Sequence, residues 1–128
     1  MKKIILVLFV LGFVFHVQAE QRNLQALFSY KTFYSPDKGP YIETYLSVNA
    51  QSVQYKKNAH NKFQGSIEIQ ITFSNETGVK YANKYNLLRP EVDDTSNIQF
   101  NFLDQQRVQL PNGKYDIGLS ITDKNAVQ

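Results

Sequence analysis

Between residues 63 and 73 the chain alternates: Phe63, Ile67, Ile69, Ile71 and Phe73 fall on one side, with Gly65 among them. Gln64, Ser66, Glu68, Gln70 and Thr72 fall on the other. Successive side chains of a strand point to opposite faces, so this segment predicts a strand with one buried and one wetted face. A helical period would mix the two sets on every face. The same alternation recurs in Tyr115, Ile117, Leu119 and Ile121, in Val79, Tyr81, Tyr85 and Leu87, and in Ile98, Phe100 and Phe102. Ile42, Leu46 and Val48 with Thr44 predict another strand, and residues 27–34 and 52–56 are weaker candidates. Turn signals separate these runs. Ser35-Pro36-Asp37-Lys38-Gly39-Pro40 cannot continue a regular element, because proline lacks a donor and glycine invites positive φ. Residues 57–61 read as a polar hairpin loop, Asn75-Glu76-Thr77-Gly78 as a tight turn, and residues 89–96 as the longest polar connection.

Short strands at this spacing predict an all-β, antiparallel immunoglobulin-like or fibronectin-type sandwich of six or seven strands, with a small barrel as the alternative. Leu110-Pro111-Asn112-Gly113-Lys114-Tyr115 resembles the corner before strand F of such domains. There a tyrosine ring closes the end of the sandwich and its hydroxyl bonds a backbone group upstream. With Tyr115–Asp123 as strand F, only the polar residues 124–128 remain for strand G. The reading is therefore a sandwich lacking its last strand and the N-terminal part of a longer protein. A partner-donated strand or an exposed edge is the alternative.

The N-terminus predicts export. Lys2 and Lys3 precede an apolar run over residues 4–15, and Val17-Gln18-Ala19 offers small or β-branched residues at the positions a signal peptidase reads. A spanning helix needs about 20 apolar residues, more than this run supplies. The expected organisation is a signal peptide over 1–19 and a single domain over 20–128, in the periplasm, cell envelope or surroundings of a bacterium, with no stable membrane insertion after cleavage. The chain has no cysteine, which removes both a lipid-anchored N-terminal cysteine and any disulfide framework. Of the net charge of +3, Lys2 and Lys3 leave with the leader, so the remaining domain is nearly neutral and gives no case for nucleic acid.

Two stretches, 27–36 (Leu27 through Tyr34-Ser35-Pro36) and Gly39-Pro40-Tyr41-Ile42-Glu43-Thr44-Tyr45-Leu46-Ser47, resemble the N-terminal domain of a family of exported bacterial proteins. The family is named for a Gly-Trp-x-Thr-Asp motif (GWxTD) in its C-terminal domain. Lys84-Tyr85-Asn86-Leu87-Leu88 and Pro90-Glu91-Val92 fit the same resemblance. The naming motif is absent here, and the chain contains no tryptophan. The resemblance implies export and further domains of the same chain as partners; it implies no activity.

Candidate chemistry is thin. Glu91, Asp93 and Asp94 share one loop and could group oxygen ligands for Ca²⁺, but without a recognisable ligand spacing. His60, the one histidine outside the leader, sits in a polar loop with no nucleophile pattern beside it. Glu43, Glu68 and Asp116 fall on expected wet faces of separate strands. Asn75-Glu76-Thr77 matches a glycosylation sequon and reads equally as a turn. No phosphate loop, nucleophile elbow or metalloprotease motif occurs, so no enzyme activity, metal or cofactor is expected.

One surface feature stands out. Tyr41 and Tyr45 are expected to face outward beside Glu43, with Tyr30 of a neighbouring strand joining them as a ligand or partner face. Tyrosine rings can stack sugars or anchor a protein, and they are also ordinary cross-strand packing residues. Two function classes follow: a non-catalytic interaction or structural domain of an exported cell-envelope protein, with a protein partner, or a carbohydrate-binding module using the tyrosine face.

Overall fold

The computed structural model describes residues 23–126. The expected leader lies outside the described residues. Seven strands follow in order: β1 (Ala26–Ser35), β2 (Gly39–Val48), β3 (Tyr55–Lys57), β4 (Phe63–Asn75), β5 (Gly78–Leu88), β6 (Phe102–Gln109) and β7 (Asp116–Asp123). A single 3-10 turn, Ala50–Ser52, links β2 to β3. Among the described residues no helix is long and apolar enough to cross a membrane.

The strands form two antiparallel sheets. One has the order β1-β2-β6; in the other β4 carries β5 on one side and β7 on the other, with the short β3 beside the start of β4. With β1, β2 and β6 read as strands A, B and E, and β4, β5 and β7 as C, C′ and F, the order is that of an immunoglobulin-like sandwich. Apolar residues on the two inner faces hold the sheets together. Ile67, Ile69, Ile71 and Phe73 of β4 are at most 2% exposed and oppose Ile42, Leu46 and Val48 of β2 with Phe102 and Val108 of β6.

The predicted corner is present. Tyr115 Oη donates to the Pro111 carbonyl at 2.8 Å, and Gly113 lies against its ring, where an added Cβ would stand 3.4 Å away. Tyr115→Phe keeps the ring and removes this bond alone. The expected loss is about 1 kcal/mol, readable in urea unfolding; an unchanged midpoint would show that the hydroxyl contributes nothing to closing this end.

Two strand readings need correction. The expected strand around Ile98, Phe100 and Phe102 begins only at Phe102 and continues to Gln109. Ile98 packs against the core from a loop, and Phe100 is 72% exposed. The inner face of β6 holds Asp104 and Gln106 between Phe102 and Val108, so the apolar alternation that marks a strand is interrupted there. Val79 was expected on the face of Tyr81. A β-bulge shifts the register so that Val79 pairs with the outward Ser74 while Tyr81 pairs with Phe73. Val79 is exposed as a result.

Candidate functional site

The outer face of the β1-β2-β6 sheet carries a connected polar and aromatic cluster. Residues paired across antiparallel strands share a face, and the register sets the outward residues in rows. Phe33, Tyr41 and Gln109 form one row; Lys31, Glu43 and Arg107 the next; Ser29, Tyr45 and Gln105 a third; Leu27, Ser47 and Leu103 the last.

Glu43 is the centre. Its carboxylate accepts from Arg107 Nε at 2.9 Å and Nη2 at 2.5 Å, from Tyr45 Oη at 2.5 Å, and from Gln105 Nε2 at 3.4 Å. Although it points away from the core, Glu43 is only 6% exposed, because these neighbours cover it. The expectation of a wetted Glu43 therefore fails: besides Tyr45 of its own strand, the covering side chains are Gln105 and Arg107 of β6, which the hydrophobic pattern did not reveal. Tyr41 has a neighbour from each adjacent strand. Phe33 stacks on it from β1, with centroids 5.3 Å apart and planes 18° from parallel, and the Arg107 guanidinium lies 4.8 Å from the ring centroid on the β6 side.

Tyr30 does not join this group. It pairs with Thr44, so it lies on the opposite, inner face of β1, where it is nonetheless 55% exposed. Sequence reasoning missed Phe33, Gln105 and Arg107. The signal available for the last two was the even spacing of Phe102, Val108 and Leu110, which continues one face through the polar stretch between them.

The electrostatics follow from the contacts. The hydroxyl of Tyr45 and then the guanidinium of Arg107 hold the Glu43 carboxyl below its ordinary value, and the same bond pushes the Tyr45 hydroxyl up. A carboxylate with every strong acceptor site in use is a fixed structural anion and a poor proton acceptor. The unfolded chain takes up this proton near the ordinary value of 4.5, so the stabilisation is present above that pH and is lost as pH falls through the lowered one. Glu43→Gln is expected to flatten the acid limb of a Tm profile taken from neutral pH down to about pH 3. Part of the slope remains, because Glu68, Glu91 and Asp94 are also held low. An equally steep limb in the variant would mean that Glu43 is not bound this way in solution.

The other candidates disperse. Glu91 accepts from Asn58 and lies 2.8 Å from His60 Nδ1; Asp93 bonds Lys62; Asp94 caps the Ser96 backbone and hydroxyl. Three carboxylates turned to separate partners do not converge on an ion, and among the described residues no group of acidic, histidine or cysteine side chains gathers to hold one. Asn75 Oδ1 accepts from the Thr77 backbone and hydroxyl, which closes the β4–β5 hairpin. Glu68 lies between Lys84 and Lys124, at 3.0 and 3.4 Å.

Comparison with protein-family models, with curated proteins and with solved structures finds no match to the chain.

Proposed function

We propose that the chain is a non-catalytic interaction or structural domain of an exported cell-envelope protein, related to the N-terminal domains of the GWxTD family. The observation that carries this reading is the closed bonding around Glu43. The strongest polar constellation on the surface is used within the sheet, joining β2 to β6, and offers no free base, acid or ligand atom. Its effect is mechanical: a cross-strand lattice stiffens a sheet that must present an unchanging surface.

Sugar stacking on the tyrosine face is the weaker reading, because Phe33 and Arg107 already lie over the Tyr41 ring. The test starts by expressing the full chain in a bacterium and sequencing the N-terminus of the fractionated product. A species beginning at Glu20 outside the cytoplasm is expected. That species should then sediment saturably with an envelope fraction and lose the association when the fraction is treated with protease. An unprocessed cytoplasmic product would overturn the reading. So would binding that survives protease and is competed by glycans.

A further inference from the structure

Among the described residues nothing pairs with the edge of β7 that faces away from β4. Lys124 N donates to the Ser66 carbonyl at 2.9 Å as the pairing with β4 ends. Alternation then directs the backbone groups of Thr122, Ser120, Gly118 and Asp116 to β4, and those of Ile117, Leu119 and Ile121 to the open side. Edge strands are normally guarded by charge, proline or a bulge. β5 carries Lys80, Lys84 and a bulge, and β6 carries Asp104 and Arg107. Residues 117–122 of β7 carry none of these.

The side chains tell the same story. The inward residues of β4 are essentially sealed, whereas Ile117, Leu119 and Ile121 are only half-buried. Across the gap, Tyr30 and Tyr34 lie on the inner face of β1 and are still 55% and 70% exposed. Tyr30, Tyr34, Phe73, Tyr115 and Ile117 help to line a cleft of about 570 Å³ whose walls contain no charged side chain.

We propose that this cleft receives an extended segment of a partner polypeptide, which adds to β7 as a further strand and places uncharged, apolar alternate side chains over Tyr30 and Tyr34. The bare backbone row calls for main chain, and the uncharged walls call for apolar side chains. A second copy of this domain fits poorly: the inward residues of its own β7 are already packed in its own sandwich, so edge-to-edge pairing leaves both clefts open. The inference rests on the reading of the chain as an interaction domain and names the place where that domain would bind.

The probe is a synthetic peptide of three Thr-Val repeats flanked by lysines, added to protein comprising residues 20–128. Hydrogen exchange at the amides of Ile117, Leu119 and Ile121 is expected to slow about tenfold or more, with little change at Ser120 and Thr122, which already bond β4. Ile117→Pro removes one edge donor and no bond to β4, and should abolish the protection. Should that variant fold poorly, Tyr34→Glu puts a charge in the cleft at an exposed position and is expected to weaken peptide binding about tenfold or more. Absence of edge protection overturns the proposal, as does protection indifferent to Tyr34→Glu. Protection that rises with protein concentration alone also overturns it, in favour of a second copy. If the peptide fails while protease-sensitive binding to the envelope fraction persists, the cleft is wrong and the interaction-domain reading stands.

Discussion

Replacing Phe73 by alanine is expected to lower the unfolding free energy by about 3–5 kcal/mol, a large share of the roughly 5–15 kcal/mol that holds a domain of this size together. Phe73 is 0% exposed near the end of the inner face of β4, the strand both β5 and β7 pair with. Tyr81 meets it edge-on at 6.0 Å, and Ile42, Ile71, Val108 and Leu110 complete the cluster. These neighbours sit on four different strands or their ends, so they cannot all move inward to fill the space a ring leaves. With no cysteine, no disulfide limits the loss. The measurement is urea unfolding followed by tyrosine fluorescence, and Phe100→Ala is its control. Phe100 lies in a loop and is 72% exposed, so its removal should change stability by no more than about 0.5 kcal/mol. Equal losses from the two substitutions would restore Phe100 to a core strand and refute the placement of β6.

That pair of phenylalanines shows where the sequence is legible. β4 could be read because one face is written in isoleucine and phenylalanine and the other in short polar residues. The corner at Tyr115 could be read because its geometry is local, spanning Pro111 to Tyr115. β6 could not, because its inner face depends on a hydrogen bond to a distant strand rather than on apolar residues. The candidate face was half legible for a different reason. Alternation within β2 puts Tyr41, Glu43 and Tyr45 together, but whether Tyr30 joins them depends on the register with β1. That register is set by the turn that pairs Ser35 with Gly39. One residue more or less in the turn would move every side chain of β1 to the other face. No alternation within β1 itself carries that information.

Asp104→Ala is expected to lower stability by about 1.5–3 kcal/mol, although an aspartate inside a sandwich would ordinarily be a defect. Tyr85 of β5 donates to Asp104 Oδ2 at 2.5 Å, and Gln106 Nε2 donates to Oδ1 at 3.0 Å. The first bond crosses between the sheets and ties β5 to β6 along the side opposite the open cleft. Truncating Asp104 removes the acceptor that the half-buried Tyr85 hydroxyl uses, and a buried donor left unpaired is more damaging than a missing pair. Tyr85→Phe removes the donor instead, so the double variant Asp104→Ala/Tyr85→Phe should lose clearly less than the two single losses added together. The same bond predicts alkaline behaviour. Burial, and next the bond to Asp104, push the Tyr85 hydroxyl above the ordinary value of 10.0. A hydroxyl whose folded value is raised contributes fully below the unfolded value, and the contribution is lost as pH rises beyond it. Wild-type stability should therefore fall above about pH 10, and Tyr85→Phe should make that fall shallower. Tyr45 and Tyr55, raised in the same direction, leave some slope in the variant. Additive single losses, together with an unchanged alkaline limb, would mean that the two sheets are not joined through this carboxylate and that the polar stretch of β6 is held by its backbone ladder to β2 alone.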